Sequence, residues 1–496
     1  MNRAATLFLV LLVTAAPAQP KDLVGVFEDA QRNDPVIRQA DANRLAAREA
    51  RPQAWATVLP QLNGTAGVTG DHNAGSQPFF ATSPNGTPLT IAVPAVSDTT
   101  TRQWGVNLKQ NVFSWANWMA LKEAGREVAQ AEATYQAAQQ QLILRVAQAY
   151  FSVLAAEDGL EANQTAFEAF SRQHDQADKR FEVGLIAITD VQEAKAARDT
   201  AAAAVIAAKR TLALSEDQLQ EITGQKYDRL AKPGTDMPLK SPEPADESRW
   251  VNVSLDQNLS LISSRLAADI ARDNVRVAIG GHLPSLDVVA GRSYQSQGVG
   301  QVFAGQPFSY DTYFNDRQIG LQLTVPLFAG GFTQSKVRET QYRWIAAKEA
   351  VVQSSRATER QARDAYLGVI SGIARVNALR QALESSATAL KATEAGYEVG
   401  TRTAVDVLNA RKTLVQAQTD YSGSRYDYIV SVLQLRLAAG NLDRPQLTEV
   451  NDWLTVAAPT SPAVPTPETL APTIPATPGV PPTNPATPPA ATQPQG

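Results

Sequence analysis

Phe181-Glu182-Val183-Gly184-Leu185-Ile186-Ala187-Ile188-Thr189-Asp190-Val191 and Tyr397-Glu398-Val399-Gly400-Thr401-Arg402-Thr403-Ala404-Val405-Asp406-Val407 are one pattern written twice. Each copy runs aromatic-Glu-Val-Gly, five residues, then Asp-Val. Each interrupts a long Ala/Gln-rich stretch with helical periodicity. The glycine suits a helix C-terminus, because it adopts the left-handed conformation at no steric cost. Thr189 or Asp190 in the first copy, and Asp406 in the second, suit the start of the following helix. Each copy is therefore predicted to be a tight reversal between two long antiparallel helices.

The duplication extends well beyond the turns. A shift of 216 residues places Ala149-Tyr150 on Ala365-Tyr366, Gln218-Leu219 on Gln434-Leu435 and Gly224 on Gly440. A slightly longer shift places Leu59-Pro60-Gln61-Leu62 on Leu283-Pro284-Ser285-Leu286. A fixed order of matches at a near-constant offset is the mark of an internal repeat. The boundaries expected are a first unit over 19–240, a second over 241–441, an equatorial segment over 442–458 and a disordered Pro/Thr/Ala-rich tail over 459–496. The unit linker carries Pro233, Pro238, Pro242 and Pro244. The tail composition cannot bury a core.

Each unit reads as helix, strand, strand, long helical hairpin. The first helices are expected over Leu23 to about Ala56 and about Ser248 to Ile279, each ended by Leu-Pro. The first strands are expected near Gln61–Thr69 and Ser285–Ser293, followed by Gly/Ser/Asn/Thr-rich loops, the longer at about 71–99. The second strands, near Arg102–Phe113 and Arg317–Phe328, alternate. Trp104, Val106 and Leu108 share one face, as do Ile319, Leu321, Leu323 and Val325. One face is greasy, and the sequence offers no element built to cover it. Strands of about ten residues suit an outer-membrane barrel. Four strands cannot close a barrel, and open edges are not tolerated in lipid, so two copies or more must share one. The helix after the first strand pair, about Trp118 to Lys179, carries Leu121, Ala124, Val128, Ala131, Tyr135, Ala138 and Leu142 in alternating steps of three and four, a coiled-coil seam.

Composition excludes much else. Net charge is −4, so no nucleic-acid partner is expected. The chain has no Cys and only three His, His72, His174 and His282, in no ligand spacing. No phosphate loop, nucleophile elbow or zinc-protease motif is present, so no cofactor, metal or enzymatic activity is expected. Met1-Asn2-Arg3, an apolar run from Ala4 to Val13 and Ala16-Pro17-Ala18 read as a signal peptide over 1–18.

On Leu59-Pro60-Gln61-Leu62, Arg180-Phe181-Glu182-Val183-Gly184-Leu185, Ile188-Thr189-Asp190-Val191 and Gly396 through Thr403, the chain resembles the TolC-type outer-membrane efflux family over about Asp22 to Asn441. The fold class this implies is an α+β membrane protein. It is a duplicated unit whose coiled-coil hairpins form an α-barrel and whose four strands join a shared twelve-stranded trimeric β-barrel. The resemblance implies an outer-membrane exit duct for tripartite efflux or type I secretion. It further implies a homotrimer, contact with outer-membrane lipid, and a periplasmic adaptor with an inner-membrane efflux pump or ABC transporter. Cargo would be drugs, toxic small molecules or proteins. The residues carried over are a gate latch of Thr189, Asp190, Tyr397, Arg402, Gln173 and Glu394, with Gln173 and Glu394 as one linking pair. A pore constriction at Asp406 and Asn409 departs from the family, which has a second Asp where Asn409 stands. Adaptor-contacting tips fall at Val183, Gly184, Leu185, Val399, Gly400 and Thr401. The competing reading is a periplasmic helical-hairpin adaptor. An adaptor should carry one hairpin flanked by compact β-domains, and here there are two.

Overall fold

The structure is a computed structural model that describes residues 20–234, 237–303 and 305–459. The signal-peptide assignment, and the tail from residue 460 on, lie outside the described residues. Residues 20–459 belong to one compact unit.

Chain order repeats as the sequence predicts, with three corrections. The opening helix is three helices, α1 (Leu23–Asn33), α2 (Pro35–Arg48) and α3 (Ala50–Ala56). Asp34 turns extended and accepts from the N–H groups of Val36 and Ile37, while Pro35 takes the first helical position. The second copy breaks at the matching place. Asn258 separates α6 (Glu247–Gln257) from α7 (Leu259–Ile279), and its side chain accepts from Leu261 N–H. The two break residues share a conformation, φ −61° and ψ 119° at Asp34 against −62° and 118° at Asn258.

The second correction concerns the strands. They are far longer than expected: β1 (Gln61–Thr82), β2 (Pro88–Ser114), β4 (Ser285–Phe303) and β5 (Gln306–Thr324). The stretch 71–99 is not a loop. Asp71 pairs with Thr99, and the ladder continues without a break to Thr82 and Pro88. Paired backbone satisfies itself whatever the side chains, and Thr99-Thr100-Thr101 is β-branched. The true reversal is Ser83 to Thr87, where Gly86 takes φ +78°. β5 stops at Thr324 rather than Phe328, two residues before Pro326, which cannot donate to a ladder.

The third correction is at the chain's other end. Pro459 is the last residue of β6 (Leu454–Pro459), which pairs antiparallel with β3 (Arg229–Pro233) in the unit linker.

The four long strands form one antiparallel sheet in the order β1-β2-β4-β5, so among the described residues β1 and β5 are free edges. Leu62, Leu108, Ala290 and Ile319 stand in one row across it. Among the described residues nothing covers this face, for Ile319 is 85% exposed and Leu321 72%. On β4 this face carries Leu286, Val288, Ala290, Arg292 and Tyr294, about 27 Å at the usual strand rise, close to the ~25 Å lipid band of outer-membrane barrels, with the Arg292 guanidinium 6.0 Å from the Trp104 ring. Tyr294 stacks on Trp104 at that band's end.

Below the sheet run α4 (Trp115–Glu182) with α5 (Ile188–Thr223), and α8 (Phe332–Glu398) with α9 (Ala404–Ala438). At 68 residues α4 is about 102 Å long. Every residue of its expected seam is at least partly buried, Ala124 and Leu142 fully. Among the described residues no helix is long and apolar enough to cross a membrane.

The main core sits midway along the hairpins. Tyr150, Phe151, Leu154, Tyr428, Ile429 and Leu433 pack there against α1 and the short helix α10 (Arg444–Asn451). Tyr150 Oη donates to Ala231 O at 2.5 Å, and Tyr426 Oη donates to Asp158 at 2.7 Å. Glu157, 8% exposed, leaves Oε2 without a hydrogen-bond partner. Burial pushes its carboxyl up to about 7, against the pull of Lys232 and with the help of nearby Asp158, Glu161 and Glu216.

Candidate functional site at the helical tips

Both turns are built on the same backbone. After α4, Gly184 takes φ +76°, its N–H donates to Phe181 O at 2.8 Å, and Leu185 N–H donates to Arg180 O at 2.9 Å. After α8, Gly400 takes φ +81°, its N–H donates to Tyr397 O at 3.1 Å, and Thr401 N–H donates to Gly396 O at 2.8 Å. These paired bonds define the Schellman motif, whose left-handed position favours glycine. Beyond the turns the helices start two to three residues earlier than expected. The N-caps are Ala187 and Thr403, which leaves Asp190 and Asp406 in first turns.

The first-turn aspartates differ. Thr403 Oγ1 accepts from Asp406 N–H at 3.2 Å, and Thr403 N–H donates to Asp406 at 2.9 Å, a complete capping box. That backbone donor holds the Asp406 carboxyl below its usual range, with help from the Thr403 side chain and Arg402. Ala187 has no side-chain acceptor, and the turn before Asp190 is uncapped. Asp406 and Asn409 are three apart on α9, hence on one face. Asn409 is exposed.

Apolar side chains stand bare at the tips, with Val183 69%, Leu185 73% and Val399 75% exposed. Just above them, Ala177, Val191, Ala194 and Ile186 tie α4 to α5. Higher still, Leu408 of the second hairpin packs among Ala166, Phe170, Ala197 and Ala201 of the first.

Within one chain the expected latch pairs are not formed. Among the described residues no hydrogen bond or ion pair joins Thr189 or Asp190 to Tyr397 or Arg402. Glu394 pairs instead with Arg411 across its own hairpin, and Gln173 Oε1 is buried with no partner. Tyr397 Oη accepts from Arg180 Nη1 at 3.3 Å. Sequence reasoning missed Arg411 and Arg180. Folding the second hairpin about its turn puts 394 opposite 411, so the first was legible. Aligning the repeats sets Arg180 against Gly396, which flags the second.

A family model described as outer membrane efflux protein matches residues 26–225 and 250–441. Outer membrane protein TolC of Vibrio cholerae serotype O1 is 38% identical over 439 residues, 88% of this chain and 94% of that one. Alkaline protease secretion protein AprF of Pseudomonas aeruginosa is 27% identical over 344 residues, 69% of this chain and 70% of that one. The solved structure of outer membrane protein VceC from Vibrio cholerae superposes with a TM-score of 0.65 at 21% identity, covering 84% of this chain and 96% of that one.

Proposed function

The chain belongs to the outer membrane efflux protein family, and from that premise we propose that three copies close one outer-membrane barrel and one periplasmic helical tunnel. The observation that carries this reading is a four-stranded sheet with both edges unpaired and its apolar face bare, continuous with two long hairpins. Three such sheets make twelve strands and leave no edge for lipid to meet.

The duct passes cargo from an inner-membrane pump to the outside. The bare tips, Val183, Gly184, Leu185, Val399, Gly400 and Thr401, are the surface offered to a periplasmic adaptor. Small toxic molecules are one cargo class. The relative named for alkaline protease secretion supports proteins, moved by an ABC transporter, as a second.

The gate works between copies. Thr189 and Asp190 of one first hairpin bond Tyr397 and Arg402 of a second hairpin, and the Gln173 amide N–H donates to Glu394. Each exposed pair contributes about 0–1 kcal/mol, so three sets make a latch that an adaptor can still release. Asp406 lines the constriction as a ring of charge that draws cations. Asn409 leaves the next ring neutral.

The test is membrane fractionation followed by planar bilayers. Heat-modifiable trimers in the outer membrane that form channels support the duct. A soluble periplasmic monomer overturns it.

A further inference from the structure

The two tips share a backbone, so their differences lie in side chains. At the position whose carbonyl receives the last turn bond, the first copy has Arg180 and the second has Gly396. One residue on, the first has Phe181 and the second Tyr397. At these two positions the guanidinium exists only in the first copy, and the aromatic hydroxyl only in the second.

The structure joins these two exceptions. Arg180 Nη1 donates to Tyr397 Oη at 3.3 Å, and the guanidinium carbon lies 5.5 Å from the Tyr397 ring centroid. One group thus makes both a hydrogen bond and a cation–π contact. Its own backbone is held by the turn, since Arg180 O accepts from Leu185 N–H.

Gly396 completes the arrangement. A side chain there would meet Arg402 Cγ at 2.8 Å and Thr401 Oγ1 at 3.1 Å. Its absence lets Arg402 lie over its own turn, beside Asp406, and leaves Tyr397 to Arg180.

We propose that Arg180 is a positioning residue of the gate, clasping Tyr397 from within the same chain and holding the second hairpin's tip against the first. This rests on the duct reading above. Links between copies and a clasp inside each copy make opening a two-stage event. An adaptor that separates the copies must still break the clasp before the second hairpin can swing clear.

The test uses full-length trimers in planar bilayers. Arg180→Met should raise the fraction of time spent in high-conductance states about fivefold, the scale of one cation–π contact. Tyr397→Phe keeps the ring and should give a smaller rise. The double variant should add little to Arg180→Met, because both changes remove one interaction. Arg180→Lys keeps the charge but not the planar fork and should fall between, and it carries the test if Arg180→Met trimers do not assemble. Arg180→Met or Arg180→Lys channels that gate like wild type overturn the clasp alone, as does full additivity in the double variant. Wild-type protein that forms no channel overturns the duct reading and the clasp with it.

Discussion

Gly224 and Gly440 end the return helices of the two hairpins with nearly the same backbone, φ +71° and +73°. Their surroundings differ. A Cβ on Gly224 would touch Asn33 Cβ at 3.5 Å, an ordinary contact. A Cβ on Gly440 would lie 2.3 Å from Gln257 O. Asn33 donates to Thr223 O at 2.8 Å in the first copy, and Asn258 donates to Ala438 O at 3.2 Å in the second. Duplication preserved the backbone device and let its neighbours diverge. The same holds at the tips, where one Schellman turn carries Arg180 and the other leaves that place empty. The repeat sets the frame, and divergence between its copies makes the mechanism.

The comparison can be broken in four places. Gly440→Ala should destabilise the protein by about 3 kcal/mol or more, from left-handed strain plus the clash. Gly224→Ala should cost about 1–2 kcal/mol from strain alone. Equal losses in thermal unfolding would erase the distinction.

The second place is Glu157, whose counterpart in the other copy is Ile373. Its carboxyl is raised from 4.5 to about 7, so the folded state holds its proton more tightly than the unfolded chain. Stability from this group is complete below about 4.5 and lost as pH rises to about 7. Glu157→Gln should therefore flatten stability across that window and raise it at pH 8 by about 1–3 kcal/mol. A variant less stable at pH 8 would show that the charge is needed.

Third, Arg402→Ser with Tyr397→Phe should raise single-channel conductance, by about tenfold if the released tethers total ~1.4 kcal/mol. Their counterparts Ile186 and Phe181 have no such tether to lose, so Phe181→Leu should leave conductance near wild type. Finally, Asn409→Asp should tighten block by multivalent cations about twofold to fivefold, the scale of one added exposed charge per chain. Equal block in wild type and variant would mean that Asp406 alone sets cation affinity.

Much of this was legible in the sequence. Val183-Gly184 and Val399-Gly400 announced the turns, because a left-handed helix end needs a residue without Cβ. The duplicate offset located the hairpins and strand starts. Pro35 after Asp34 also announced the helix break, for it is the usual first-position proline behind an Asp cap. The strand extension was harder to see. Between Asp71 and Thr99 the side chains are mostly small and polar and do not alternate, so cross-strand pairing decides the structure. The overlooked local mark was Pro84-Asn85-Gly86, a compact reversal in the middle of the stretch. At the tips, sequence placed the residues but not their partners. Glu394 chose Arg411 because hairpin geometry brings α8 and α9 face to face there. The pairs carried over from the family are not formed within one chain, and we propose that they join separate copies.

One feature of the sheet bears on the outer face of the cell. β2 pairs with β4 only as far as Ala95 and Phe303, while residues 88–94 continue beyond with β1 alone. At ~3.3 Å per residue the first hairpin overtops the second by about 23 Å. Three copies would give the mouth a crenellated rim, tall ribbons alternating with low notches. The Phe79 ring lies tilted against Phe303, centroids 5.6 Å apart, where ribbon meets notch. Cargo leaving sideways would have three gaps, whereas a macromolecule approaching from above would meet the ribbons first. The turn at Ser83–Thr87 is accordingly the place to graft an epitope that reports surface display without touching the tunnel.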